Sequence, residues 1–463
     1  MKKVLLGMTG VAVLLVAVPA YIGFNVEGRY QELVRQAEQS GFQAVQNQYQ
    51  RGWFGSSAET QFSLQLPSDY SGEITEPVSF TLKSEVAHGP WIKKPLSGLA
   101  EINSSIFLDG ENIFPEDYPA EIRTLVSFDG SGHTLVDLPA TDLQANGERP
   151  AIRFSGVKGE LLFDAAFKDV NLDFRMPALQ IGDIDAEVAS INDVQISSHS
   201  WKNSTGLMLG GGRLVIGSLS LDTDQGDVVA IDKLSIEVDS HEQDQQVNAA
   251  ATYRFQGLSV ADEHFGPAEM EISIERLASA VLLNIQQAVE ELGSQQMQPA
   301  QQQIAMMSIL LSNGPALLEG DPRLALSRFH LETPEGVVEG QFSVQTVGLL
   351  WPDVSNPGVI LEKLLASGQL KIPQVYVNKL LALQMQKELM QQYQLHNGGG
   401  EELKMPDQSQ LEDEAAMLAE TQLENLLSQG LLQKQGGYLT AAMNMESGLL
   451  TVNGKSIPLP FNR

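Results

Sequence analysis

The sequence predicts an α+β protein: an N-terminal transmembrane helix, then a large, bent, mostly antiparallel β-sheet with one apolar face, packed against two helical blocks. Three observations lead to this prediction. Residues 4–24 carry no charge over a length that can span a hydrocarbon core. From residue 53 to about residue 275, apolar and polar residues alternate, which is typical of strands covered on one face. Residues 276–320 and 373–434 instead place apolar residues at helical spacing.

Composition limits the classes of partner. The 463 residues include 58 acidic and 29 basic side chains, for a net charge of −29. A surface this acidic repels phosphate backbones and anionic lipid headgroups, so we expect neither nucleic-acid binding nor peripheral membrane binding. The chain contains no cysteine, which excludes disulfides, thiolate catalysis and cysteine-ligated metals.

The N-terminal apolar segment has two interpretations. Residues 18–20, Val-Pro-Ala, could form the cleavage site of a signal peptide. The apolar run nevertheless continues through Tyr21 and Phe24, which favours an uncleaved anchor with Tyr21 at the membrane interface. Lys2 and Lys3 would keep the N-terminus cytoplasmic and place the rest of the chain on the far side. We therefore expect a single-pass exported protein.

Periodicity divides the remainder of the chain. Residues 25–50 are polar with apolar residues at helical spacing, which predicts a helical stalk after the anchor at 1–24. The further predicted segments are an antiparallel β region at 51–275, a helical insertion at 276–320, a β return at 321–372, a helical region at 373–434 with a flexible linker at 396–410, and a C-terminal β-hairpin at 435–463.

Glycine and proline positions refine the strand predictions. Residues 177–185, PALQIGDID, and residues 212–222, GRLVIGSLSLD, each contain two apolar halves interrupted by glycine, which suggests a bulge or bend in a long strand. Gly210, Gly211 and Gly212 together suggest a flexible turn before a strand. Asn453-Gly454 is the strongest short hairpin signal in the chain.

No motif in the sequence predicts catalytic, cofactor-binding or metal-binding residues, so we expect the protein not to be an enzyme. Residues 448–456 end in Gly-Lys-Ser, but five residues separate the two glycines where a phosphate-binding loop needs four, and Pro458 follows instead of a helix. The seven histidines stand singly, without metal-ligand spacing: His88, His133, His199, His241, His264, His330 and His396.

The stretch YQRGWFGSS at residues 49–57 is the one candidate for a binding site. Tyr49, Arg51, Trp53 and Phe54 could form an aromatic platform for a carbohydrate or lipid. Alternatively, the stretch is a folding element in which the aromatic rings seal a sheet edge where helical periodicity gives way to strand periodicity. The second interpretation is favoured because large rings at such junctions commonly serve packing.

Three features together resemble a known family. They are the lysine-led N-terminal anchor, the sequence YQRGWF at residues 49–54, and the sequence GLLTVNGKSIPL at residues 448–459. In these features the chain resembles the YdgA-like family of Gram-negative bacterial proteins of unknown function. The resemblance implies an inner-membrane-anchored periplasmic protein, with residues 4–24 in the inner membrane, and it implies no catalytic residues.

Three functional hypotheses remain open. The protein could be a non-enzymatic envelope protein that holds or guides a hydrophobic ligand, such as a lipid acyl chain, along the apolar face of its sheet. It could be a scaffold that packs that face with its own helices and associates with other proteins or with itself as a homo-oligomer. The third is an envelope hydrolase whose catalytic residues come from distant parts of the sequence and form no visible motif.

The anchor interpretation predicts the mass of the mature protein. Because the apolar run extends past the candidate cleavage site, we expect the N-terminal peptide to retain residues 4–24. Intact-mass and N-terminal peptide mass spectrometry on protein extracted from membranes measures this directly. A mature chain that begins at Tyr21 would contradict the prediction.

Overall fold

The computed structural model divides into two compact units, the first formed by residues 1–251, 255–262 and 277–314 and the second by residues 252–254, 263–276 and 315–463. The predicted anchor and most of the predicted stalk lie outside the described residues. The structure describes residues 42–51, 55–64, 78–88, 100–108, 114, 120–127, 129–144, 151–183, 186–222, 228–261, 263–293, 299–397 and 407–458.

The first unit is built around antiparallel strands. Hydrogen bonding joins β1 to β6 in sequence order, then β6 to β9, and then β9 to β13 in order, while β8 pairs with β7 and β10 and β15 pairs with β13. The strands are β1 (Phe42–Arg51), β2 (Gly55–Leu64), β3 (Val78–His88), β4 (Ala100–Leu108), β5 (Glu121–Val126), β6 (Gly132–Leu138), β7 (Thr141–Leu143), β8 (Ile152–Phe154), β9 (Val157–Phe163), β10 (Asp169–Asp183), β11 (Ala186–Lys202), β12 (Met208–Asp222), β13 (Val228–Gln243), β14 (Gln246–Phe255) and β15 (Gly257–Val260).

The second unit contains a further set of antiparallel strands. Here β17 to β20 pair in sequence order, and β20 pairs with β22. Strand β22 also pairs with β21 and with β23, and β23 pairs with β24. These strands are β16 (Glu263–Phe265), β17 (Ala268–Ala278), β18 (Arg323–Thr333), β19 (Gly336–Thr346), β20 (Leu364–Pro373), β21 (Gln433–Gln435), β22 (Tyr438–Glu446), β23 (Leu449–Val452) and β24 (Lys455–Ile457). The predicted mostly antiparallel α+β class is therefore confirmed.

Helices follow the strands in both units. Among the helices that the structure describes, none is both long enough and apolar enough to cross a bilayer. They are α1 (Ser279–Gly293), α2 (Pro299–Leu318), α3 (Pro357–Glu362) after a 3-10 turn at Trp351–Ser355, α4 (Gln374–Asn397) and α5 (Gln408–Ser428). Asp407 caps α5, because its side chain accepts a hydrogen bond from the backbone N–H of Gln410.

The apolar face of strands β2 to β11 forms the core of the first unit. Alternation along each strand sends apolar side chains to one face, where Phe62, Leu82, Ile102, Val126 and Leu179 are all between 0 % and 1 % exposed. Each such side chain contributes about 1.5–3 kcal/mol through its removal from water. Over strands β2 to β11 the apolar face of the sheet is covered.

Hydroxyl groups within this core are paired across strands. Ser84 and Ser104 lie opposite each other in β3 and β4, with 2.8 Å between their hydroxyl oxygens. Thr124 and Thr134 form the same arrangement in β5 and β6, also at 2.8 Å. Each buried hydroxyl thereby gains a hydrogen-bond partner without water.

Pairing is interrupted where the sequence predicted it. In β10 the register shifts between Ile181 and Gly182, and Gly182 adopts a φ of +114°. In β12 the interruption falls at Gly217, which the register places opposite Asp193 in β11 and Lys233 in β13. Asp193 and Lys233 have φ values of +53° and +51°, so the regular strand conformation is interrupted at adjacent positions in three neighbouring strands.

The N-terminal edge differs from the sequence prediction. Residues 42–50 were assigned to the helical stalk, but they form β1, which pairs with β2 from Phe42 opposite Leu64 to Arg51 opposite Ser56. The helical spacing lay in residues 30–37, and the polar sequence that follows has no strong preference of its own. Pairing with a neighbouring strand therefore decides its conformation.

The three consecutive glycines also differ from their prediction. Gly210, Gly211 and Gly212 lie inside β12, not in a turn. At Gly210 a Cβ atom would approach the carbonyl oxygen of His199 to 2.1 Å, and its φ is +146°. Glycine is required there because β11 and β12 approach too closely for any side chain.

The C-terminal hairpin confirms the Asn-Gly signal. Asn453 and Gly454 have φ values of +51° and +77°, the pattern of a type I′ turn, and Val452 pairs with Lys455 across it. Because Lys455 and Ser456 belong to strand β24, the Gly-Lys-Ser sequence is part of a hairpin and not of a phosphate-binding loop.

The close approach at Gly210 predicts a strong stability effect. We expect Gly210→Ala to lower the free energy of unfolding by about 2–4 kcal/mol, because the methyl group meets backbone atoms and the φ is unfavourable. Gly212→Ala is the matched control, since its Cβ would lie 3.4 Å from that of Ser198. It should change stability by less than about 1 kcal/mol. Urea unfolding monitored by circular dichroism measures both, and equal effects would contradict the explanation.

Candidate functional site

The structure describes part of the predicted aromatic stretch. Tyr49 is half-buried in β1 and packs against the core of the first unit. The backbone of Arg51 pairs with Ser56, so the stretch connects two strands and not a helix to a strand. Trp53 and Phe54 lie outside the described residues, as does the side chain of Arg51. Tyr49 therefore packs as in the folding interpretation, and the aromatic platform stays a prediction.

Two histidines of the first unit lie beside aspartates on the exposed surface. His199 Nε2 lies 3.2 Å from Asp169 Oδ2, with about half of each side chain exposed. His241 Nδ1 lies 3.3 Å from Asp239 Oδ2. Among the described residues no group of three His, Asp or Glu side chains could hold a metal ion. Solvated pairs of this kind are ordinary surface contacts and do not indicate acid–base catalysis.

The polar face of the second unit contains a long groove. Gln341 lies opposite Gln369, and the hydroxyl oxygens of Ser343 and Ser367 are 3.0 Å apart. Two cavities of about 530 and 540 Å³ lie on this face. They share Ser327, Gln341, Gln369 and Ala442, so they form one surface, which we call the polar groove.

Ion pairs surround the polar groove. Glu269 binds both Arg328, at 2.8 Å, and Arg254, at 2.9 Å. Lys371 donates a hydrogen bond of 2.8 Å to Glu339. This hydrogen bond, together with the positive charge of Lys371, lowers the pKa of the Glu339 carboxyl below its usual value. The groove is thus lined by groups that already satisfy one another.

The opposite face of the same sheet is apolar. Along β19, Gln341 and Ser343 alternate with Phe342 and Val344, so the two sets point to opposite sides. The register brings apolar residues of β18, β19, β20 and β22 into adjacent positions. We call this surface the open apolar face; it consists of Leu324, Leu326, Phe342, Val344, Leu370 and Met443, with Gly340 and Gly368 among them.

The open apolar face remains accessible to solvent. Leu324 is 45 % exposed, Phe342 38 % and Leu370 40 %. Apolar side chains on β2 to β11 of the first unit are almost fully buried, and Val338 and Leu439, on the same side of the second unit's sheet as Phe342, are buried as well. Contiguous exposed apolar surface on a folded protein commonly marks a binding site.

Glycine residues shape the middle of the open apolar face. A Cβ atom at Gly368 would lie 3.0 Å from Met443 Cγ and 3.3 Å from Phe342 Cδ2. The side chains of Phe342 and Met443 therefore lie close over the backbone of Gly368, which keeps the surface low at this point.

The sequence predicts the two faces of this sheet but not the exposure of the apolar one. The alternation in residues 341–345 predicts one apolar and one polar face, and both exist. No signal in a single strand distinguishes a covered apolar face from an open one, because coverage depends on distant segments.

The ion pair beside the polar groove predicts a pH dependence. We expect the Glu339 carboxyl to titrate below the ordinary value for glutamate, and Lys371→Met to raise its pKa toward that value. Because the folded-state pKa is lowered, this pair stabilises the fold above the unfolded-state pKa, and the contribution is lost as pH falls through the folded-state pKa. NMR titration of side-chain carboxyls measures the shift.

Lys363→Met is the control for this titration. Lys363 donates a hydrogen bond to Asp353, so its loss should raise the pKa of Asp353 and leave that of Glu339 unchanged. An identical Glu339 titration in the wild type and in Lys371→Met would refute the proposed cause.

Comparison with known proteins gives a family and no function. A family model described as "Bacterial protein of unknown function (DUF945)" matches residues 1–460. No curated protein and no solved structure matches the chain significantly. Because the matched residues cover nearly the whole sequence, this chain belongs to the DUF945 family of bacterial proteins of unknown function.

Proposed function

We propose that the protein is a non-enzymatic, YdgA-like component of the Gram-negative envelope that holds or guides a hydrophobic ligand, such as a lipid acyl chain. The observation that carries the proposal is the solvent exposure of Leu324, Phe342 and Leu370 on the open apolar face. An apolar ligand on this face would gain about 25 cal/mol for each Å² of apolar surface removed from water.

The backbone of the sheet supports this role. Four strands, β18, β19, β20 and β22, hold the open apolar face through antiparallel pairing, with one register shift in β18 between Leu326 and Phe329. A surface held by backbone hydrogen bonds needs little ordering when a ligand binds, which favours affinity. The exposed apolar residues come from adjacent strands, so an extended chain could contact several of them together.

Location at the inner membrane is the second part of the proposal. Residues 4–24 supply an uncharged segment of sufficient length, and the preceding lysines favour a cytoplasmic N-terminus. The remaining chain would then lie in the periplasm, anchored beside a source of lipid. The mass of the mature N-terminus tests this part independently of ligand binding.

Charge placed on the open apolar face should abolish ligand binding. We expect Phe342→Asp to weaken binding of a long-chain fluorescent fatty acid at least about tenfold, equivalent to about 1.4 kcal/mol, because the ligand would desolvate a carboxylate. Gln341→Asp is the matched control, since it adds the same charge to the opposite face of the same strand. Fluorescence titration measures affinity, and circular dichroism verifies that both variants fold.

Other outcomes contradict the proposal in distinguishable ways. If the wild type binds the fatty acid no better than a control protein of similar hydrophobicity does, the proposed hydrophobic ligand is excluded. Equal weakening in both variants would place binding elsewhere. If Phe342→Asp converts an oligomer to a monomer and no lipid co-purifies in native mass spectrometry, the same face serves self-association, as in the scaffold hypothesis.

A further inference from the structure

Helix α2 contains no charged residue. The chain as a whole has 58 acidic and 29 basic residues among 463, yet residues 299–318 contain none. Each of the other helices in the described part of the chain carries at least one charged side chain. This composition separates α2 from the acidic surface that dominates the protein.

Apolar side chains of α2 point into solvent. Ile304 is 71 % exposed, Met307 55 % and Leu311 56 %, and their spacing places them along one side of the helix. By contrast, Val281 and Leu292 of α1 are buried.

The opposite side of α2 is apolar as well. Ala305, Met306 and Ile309 are half-buried on that side. A helix with this much exposed apolar surface commonly marks a contact with another protein or with a membrane. We propose that the exposed side of α2, formed by Ile304, Met307, Leu310 and Leu311, lies on the surface of a lipid bilayer.

Charge distinguishes lipid from other partners. Most of the chain carries a net negative charge that anionic headgroups would repel, whereas α2 itself has no charged side chain to desolvate at a bilayer. Gln303 is exposed beside the apolar side chains and can hydrogen-bond to headgroups. Because no basic residue takes part, contact should occur on zwitterionic lipid and should not weaken with added salt.

Helix α5 provides the internal contrast. Met417 in α5 is 64 % exposed, which is comparable with Met307. However, Glu414 and Glu420 lie within one turn of Met417 on either side. Insertion of Met417 into lipid would desolvate these carboxylates, so α5 should stay in water.

The absence of cysteine makes a direct test straightforward. Met307→Cys and Met417→Cys each introduce a single thiol into the full chain, to be labelled with an environment-sensitive fluorophore and reconstituted in phosphatidylcholine vesicles. We expect blue-shifted emission and quenching by nitroxide-labelled lipid at position 307. At position 417 we expect quenching by aqueous iodide. Both variants carry the same N-terminal segment, so a difference between them reports on α2.

Three results decide the proposal. The proposal is supported if quenching by nitroxide lipid at position 307 falls by at least about half when Ile304→Asp and Leu311→Asp are added, because carboxylates resist insertion into lipid. Iodide quenching at position 307 equal to that at 417 overturns it. Blue-shifted emission without nitroxide quenching also overturns it, since the label then contacts protein. Phe342→Asp should leave the signal unchanged, so this test and the ligand test fail independently.

Discussion

Antiparallel pairing sends successive side chains to opposite faces, so a strand in which apolar and polar residues alternate presents one apolar face that is either covered or exposed. In the first unit, Phe62 and Leu82 are buried within the core. In the second unit, Phe342 occupies a comparable place on its strand but remains in contact with solvent. The same sequence pattern thus yields a buried core in one unit and a partly exposed apolar surface in the other.

Local interruptions of pairing occur within the long strands of the first unit. Strands of up to seventeen residues occur in the first unit, and β11 to β13 share a break at Asp193, Gly217 and Lys233. Long sheets with natural twist need such breaks, because unbroken strands would separate neighbouring chains at their ends. The glycine at 210 performs a different task, since it lets two backbones meet where a side chain would collide.

Short-range features were predictable from the sequence and long-range ones were not. The Asn453-Gly454 turn depends on two residues whose φ preferences are intrinsic, so its signal was sufficient. Residues 42–50 form a strand because a partner lies beside them, and Gly210 avoids a contact with β11 that no local pattern reveals. The open apolar face was invisible for the same reason: exposure of Phe342 depends on which distant segments fail to cover it.

The paired hydroxyls in the first unit have a consequence for how the sheet assembles. A slip of one residue between β3 and β4 would turn the apolar face to solvent, but a slip of two residues would preserve it. Such a slip would place Ser84 against Ile102 or Ile106 and leave its hydroxyl buried among apolar side chains. An unsatisfied buried hydroxyl costs about 1–3 kcal/mol, and Thr124 faces the same loss. These pairs therefore select the correct alignment among those that hydrophobicity alone cannot tell apart.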